Sequence, residues 1–176
     1  MTFKLIENFI TNDEIDEINK IIDESQWNYV NSSTGEELKE VMRVPPITFW
    51  AIIIKNKIFE EKILKRIEKR MGKKFEVLEV KVNGQTYGLD GSWHCDHVDD
   101  DDDRYTLLIY VSEIYPYNIQ TVGGYTYFRI DNNVTGIEPY RKRAVFFDAR
   151  IEHKGMAPKT KNILRTSVAF RLKEIQ

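Results

Sequence analysis

Apolar residues recur at two different periods along this chain. In residues 5–25, LIENFITNDEIDEINKIIDES, Ile15, Ile18, Ile21 and Ile22 line one face at helical spacing. Thr11 followed by Glu14 has the spacing of a capping box, so a strand or loop should enter a helix there. Residues 56–74 repeat this logic, with Phe59, Ile63, Leu64, Ile67 and Met71 on one face, Lys and Arg gathered late, and Gly72 placed for a C-terminal cap. Residues 31–46, punctuated by Pro45 and Pro46, read as a loop. After Gly72 the pattern shortens. Residues 75–88, 106–115, 123–130, 141–150 and 165–175 are rich in β-branched and aromatic residues and are separated by turn signals, as strands are.

Two helices followed by many short strands predict a mainly β chain with N-terminal helices, of α+β class. A helical layer should support an antiparallel barrel or jelly roll. No linker or internal repeat divides the chain, so the expectation is one domain over residues 1–176, with 1–72 as helical support and 73–176 as the β core.

The 176 residues include 41% hydrophobic and 31% charged positions, which is ordinary globular composition. The formal net charge of -2 offers no overall positive field for a phosphate backbone, so nucleic acid is not an expected partner. Cys95 is the only cysteine, and nothing reads as a secretory leader; both suit a reducing cytoplasm. The longest apolar run, PITFWAIII at 46–54, is too short to span a bilayer, and no membrane partner is expected. Nothing in the sequence sets the oligomeric state.

Candidate chemistry concentrates in SWHCDH, residues 92–97. On an extended strand His94 and Asp96 project to the same side and can grip one ion. His153, after the apolar strand AVFFDAR and before a glycine turn, is a third candidate. Two histidines and a carboxylate with open positions opposite form the ligand set of non-haem Fe(II) oxygenases, although zinc takes the same donors. Twelve residues further on, Arg165 offers the planar fork that binds a carboxylate at two points. Ser167 lies on the same strand face and can add a hydroxyl.

Blander readings hold elsewhere. His97 makes an HxxH with His94 that would share a face only on a helix, which Gly91 and the following aspartates disfavour, so it is expected in a loop near the site. Asp99 to Asp103 lack the later glycine and glutamate of an EF-hand and read as a solvated loop. Cys95 should point away from the metal pair, into the core. Tyr87, Trp93 and Arg104 are candidate pocket residues. Gly123 and Gly124 should make a tight turn or bulge, and Lys142 and Arg143 an exposed rim. NGQTYGLDG has no GK[ST] and does not open a helix, so it is not a phosphate loop.

The order His94-x-Asp96, GGYTYF, FFDARIEHKG and RTSVAFR resembles the Fe(II)- and 2-oxoglutarate-dependent dioxygenases, in their prolyl 4-hydroxylase-like branch. ENFITNDEIDEI and IEPYRKRAVFF extend the likeness. The resemblance implies a double-stranded β-helix that holds Fe(II) through His94, Asp96 and His153, with Arg165 meeting the far carboxylate of 2-oxoglutarate and Tyr110 hydrogen-bonding it. It implies consumption of O2 and release of succinate and CO2 as a substrate is hydroxylated, with ascorbate as a supporting reductant. An intact Asp96 favours hydroxylation over halogenation. The substrate class implied is a prolyl residue in a protein or peptide. A free amino acid or small metabolite is the alternative, and a non-catalytic metal-binding barrel is the reading from another class.

Overall fold

In the computed structural model, residues 1–32, 48–98 and 103–175 are described. The elements run β1 (Phe3–Ile6), α1 (Asn12–Asp23), β2 (Asn28–Ser32), β3 (Thr48–Ile53), a π-helical stretch (Ile58–Ile63) leading into α2 (Leu64–Met71), then β4 (Lys74–Gln85) and β5 (Arg104–Tyr110). They continue with the short α3 (Ile119–Val122), β6 (Thr126–Ile130), β7 (Asn133–Ile137), β8 (Ala144–Asp148), β9 (His153–Gly155) and β10 (Arg165–Ile175).

Both helical expectations hold at the level of single residues. Thr11 caps α1 in a reciprocal capping box with Glu14, and Gly72 closes α2 in the left-handed conformation at φ 69°. Ile15, Ile18 and Ile22 are buried, as are Ile63 and Ile67. Glu14 is also buried, at 1% exposure. Its carboxylate takes both terminal nitrogens of Arg66 from α2, so the two helices are joined by a charge pair as well as by isoleucines.

The strands form two antiparallel sheets. The larger has seven strands in the order β1-β8-β5-β10-β4-β3-β2, the smaller three in the order β7-β6-β9. Residues 1–72 therefore supply three strands of the large sheet besides the helices, and the boundary at 72 does not separate a helical layer from a β layer. The strand β3 escaped sequence reading because PITFWAIII is uniformly apolar and shows no alternation. β7 escaped because NVTGI is largely exposed.

Strand β10 shows how the large sheet is used on both faces. Val168, Phe170 and Leu172 pack outward with Val80, Val82, Leu107, Ile109 and the helices in one core. The other face turns toward the small sheet, where Leu108, Tyr110, Val145 and Phe147 meet Phe128 and Ile137. Phe128 and Phe147 touch edge to face across the gap, with centroids 5.1 Å apart. Two sheets facing each other in this way make the expected double-stranded β-helix. No helix of the described residues is long and apolar enough to cross a membrane. The loop expected at 31–46 lies outside the described residues except for Asn31 and Ser32, which end β2; of the acidic run only Asp103 is described.

Candidate active site

His94 reaches the site without a regular strand. It pairs through a single bridge with His153, each backbone N–H donating to the other's carbonyl at 3.0 and 2.9 Å. The chain then bends at Asp96, whose N–H donates to the Ala149 carbonyl at 2.9 Å. This bridge replaces the extended strand expected from sequence. It still brings His94, Asp96 and His153 together, with one ligand atom from each lying within 4.8 Å of the others.

The orientation of both imidazoles is set by their backbone contacts. His94 Nδ1 lies 2.9 Å from the Ser92 carbonyl, and His153 Nδ1 lies 3.0 Å from the Ile151 carbonyl. A carbonyl only accepts, so each Nδ1 donates to it, which turns each Nε2 toward Asp96. Those Nε2 atoms sit 4.0 and 3.8 Å from the two oxygens of Asp96. Burial, with the neighbouring His153, pulls His94 below its ordinary pKa, which keeps it neutral and ligating.

Asp96 is held from the other side. Thr106 on β5 donates its hydroxyl to Oδ2 at 2.6 Å, and Arg171 on β10 reaches Oδ1 at 3.3 Å. Burial alone would push Asp96 up, but His153, Arg171, His94 and the Thr106 hydroxyl outweigh it and hold the carboxyl below its usual range. Two imidazole Nε2 atoms and one carboxylate form a donor set that fits a divalent cation.

The three residues open into a cavity of about 260 Å³ between the sheets. At its far wall stands Arg165, 2% exposed. Its Nε donates to the Gly124 carbonyl at 2.7 Å, Nη1 to Gln85 Oε1 at 3.0 Å and more weakly to Ser167 Oγ at 3.4 Å, and Nη2 to Thr126 Oγ1 at 2.7 Å. All of these partners are neutral. Among the described residues no carboxylate pairs with this buried guanidinium, a costly arrangement for a charge. Burial draws its pKa below the ordinary arginine value.

Tyr110, expected to bind the carboxylate beside Arg165, is fully buried and does not line the cavity. Its hydroxyl donates to Thr126 Oγ1 at 2.9 Å. Thr126 thus accepts from both Tyr110 and Arg165, which uses its two lone pairs and leaves its own proton for a further acceptor. The tyrosine orients the threonine, and the threonine faces the cavity. Neither Thr126 nor Gln85 was found from sequence.

The other pocket candidates fall out differently. Ser167 lines the cavity. Tyr87 is 55% exposed, with the Lys161 ammonium 5.8 Å from its ring. Trp93 lies between the Arg129 guanidinium at 4.2 Å and the Lys154 ammonium at 5.0 Å. Neither aromatic ring lines the cavity. Arg104 and His97 line a second cavity, which shares Glu79, Asp96, Thr106 and Arg171 with the first. Cys95 is not in the core: it is half-buried, lines the first cavity and donates Sγ–H to the Arg150 carbonyl at 3.2 Å. Arg143 is likewise not an exposed rim residue, being 8% exposed and paired with Glu7 and Glu138.

No family model matches the chain, and no curated protein matches it in sequence. Solved structures do match in fold. A prolyl-4-hydroxylase from Pseudomonas putida superposes with a TM-score of 0.70 at 14% identity, over 99% of this chain and 93% of its own. The viral collagen prolyl hydroxylase of Paramecium Bursaria Chlorella virus-1, solved as a 2-oxoglutarate complex, gives 0.66 at 17% identity over 99% and 97%. A non-heme, alpha-ketoglutarate-dependent carbocyclase from nogalamycin biosynthesis gives 0.68 at 8% identity over 97% and 79%. The chain shares their double-stranded β-helix from end to end.

Proposed function

We propose that this chain is an Fe(II)- and 2-oxoglutarate-dependent oxygenase that hydroxylates an organic substrate. The observation that carries the reading is Arg165, a fully buried cation with only neutral partners, facing the cavity that also holds His94, Asp96 and His153. A zinc site built from the same three donors would leave that guanidinium without a role.

The residues fit the two groups. His94 and His153 would bind iron through Nε2, which their Nδ1 contacts leave free, and Asp96 would complete one face of the ion. Arg165, with the free hydroxyl proton of Thr126 and with Ser167, would hold the far carboxylate of 2-oxoglutarate. Leu108 and Phe147 give the space between an apolar wall that limits water. When bound, the iron and the 2-oxo acid supply the oxidising power: O2 is consumed, succinate and CO2 are released, and a substrate C–H becomes C–OH. The protein selects which C–H is presented.

For the substrate, the fold shared with two prolyl hydroxylases supports a prolyl residue in a peptide. A second reading, a small free metabolite, is favoured by the charged residues Glu79, Lys81 and Arg171 on the cavity wall. The lone cysteine supports a place in the cytoplasm, and the single run of elements supports one working domain.

The test is to add Fe(II) and 2-oxoglutarate to the purified protein without oxygen and record the visible spectrum. A weak visible charge-transfer band is the expected sign of a 2-oxo acid chelated to a ferrous ion on a two-histidine, one-carboxylate face. Absence of the band, with tight zinc binding instead, would point to the non-catalytic metal-binding barrel.

A further inference from the structure

Strand β4 turns a row of four polar side chains into the cavity. Glu79, Lys81, Asn83 and Gln85 line it, while Val80 and Val82 between them are buried in the opposite core. Antiparallel register sets each against β10: Gln85 opposite Arg165, Asn83 opposite Ser167, Lys81 opposite Ala169 and Glu79 opposite Arg171. Gln85 is already committed, bonded to Arg165 and to the carbonyls of Leu89 and Gly155. The other three polar residues of the row are not used by the site described so far.

They are also incompletely satisfied. Glu79 Oε1 and Asn83 Oδ1 are buried without a hydrogen-bond partner. The nearest cations to Glu79 Oε1, Lys81 Nζ at 3.6 Å and Arg171 Nε at 3.7 Å, stand beyond hydrogen-bond reach. Buried acceptors left open in this way are costly unless something donates to them. Beside them Lys81, with its side chain 16% exposed, and Arg171 bring two positive charges to the wall, against the carboxylates of Glu79 and Asp96. Asp96 accepts from Arg171 Nη2 at 3.3 Å and otherwise faces the metal site. The wall therefore offers both kinds of complement within one small space: Lys81 and the remaining donors of Arg171 for an anionic group, and open acceptors for a group that donates.

We infer that this wall recognises a zwitterion, and that the substrate is a free α-amino acid. Its carboxylate would lie against Lys81 and Arg171, and its ammonium against Glu79 Oε1 and Asn83 Oδ1. Ala169, the smallest residue on the cavity face of the ladder, leaves the floor between them clear, and the metal-binding triad borders the same cavity. A peptide-bound prolyl residue has neither charge and would leave the two buried acceptors, Glu79 Oε1 and Asn83 Oδ1, unmet. A cavity of about 260 Å³ is also at the small end for a ligand site. The inference rests on the oxygenase reading and narrows its substrate.

The experiment uses the full chain with Fe(II) and 2-oxoglutarate. Free L-amino acids are compared with their N-acetyl and methyl-ester forms and with a proline-containing peptide. Two readouts are taken: the shift of the anaerobic charge-transfer band on adding each compound, and the rate of succinate release in air. At least one free amino acid should shift the band and speed succinate release, and blocking either end should weaken it roughly tenfold to hundredfold, as loss of a charge-assisted contact does. Lys81→Met should lose preference for the free carboxylate and Asn83→Leu for the free amine, each as a raised KM for the amino acid. If the band forms but responds to the peptide, or to blocked and free forms alike, the oxygenase reading stands and the zwitterion inference falls. If no band forms at all, both fall.

Discussion

The hydroxyl of Thr106 donates to Oδ2 of Asp96 across 2.6 Å, tying the carboxylate of the triad to β5, an inner strand of the large sheet. The contact fixes which way the carboxylate faces and stabilises its ionised form. Thr106→Val keeps the shape and removes the donor. Affinity for Mn(II), measured by magnetic-resonance titration in place of Fe(II), should fall ~10–100-fold, as when an outer partner of a metal ligand is lost. An unchanged affinity would mean that Arg171 alone suffices to hold Asp96.

Asp96→Ala and Arg165→Ala should separate the two halves of the site. The first removes the negative ligand, so metal binding weakens and succinate formation is abolished. The second leaves the triad intact and should raise the 2-oxoglutarate requirement roughly tenfold to hundredfold, the loss of a charged hydrogen-bonded contact. A thermal unfolding curve controls for the acceptors that Arg165→Ala leaves open. Succinate production unaltered in both variants would overturn the site assignment.

Gly124 joins turn geometry to ligand binding. It has φ 82°, and a Cβ there would meet Arg165 Cδ at 3.2 Å, while its carbonyl accepts from Arg165 Nε. Gly124→Ala should cost about 1–3 kcal/mol in backbone strain and displace the guanidinium, lowering the melting temperature and 2-oxoglutarate affinity together. A variant that loses stability alone would show that Arg165 tolerates the shift.

Acid should loosen the joint between α1 and α2. Burial would raise the pKa of Glu14, but Arg66, the Thr11 backbone and Lys62 more than offset it, bringing it from 4.5 down to about 2. A depressed folded-state pKa stabilises above the unfolded value and is lost as pH falls through the folded one. Stability attributable to this group should therefore be complete above pH 4.5 and decline toward pH 2. Denaturant midpoints of wild type and Glu14→Gln across that window should converge as pH falls; parallel curves would place the acid sensitivity elsewhere.

How much of this was legible beforehand depends on how far apart the partners lie in sequence. The capping box at Thr11 and Glu14 and the stop at Gly72 are local signals, and they were read directly. His94, Asp96, His153 and Arg165 were legible as an ordered set, even though His94 arrives by a single bridge and not on a strand. Gln85 and Thr126 were not, because only the antiparallel register of β4 and β10 and the approach of β6 bring them to Arg165, 80 and 39 residues away in sequence. A signal did exist for β4: Glu79, Lys81, Asn83 and Gln85 alternate with Val80, Val82 and Gly84, and a polar row in a strand covered on both faces calls for a partner. Tyr110 shows the opposite limit, since the residue was identified while its contact goes to a threonine.

The solitary guanidinium of Arg165 also bears on the persistence of the chain in a cell. Any small acid that settles against it binds the folded form and not the unfolded one, and so shifts the folding equilibrium by mass action, by about 2.7 kcal/mol at a hundred times its dissociation constant. The protein's resistance to proteolysis should therefore rise with the concentration of such an acid.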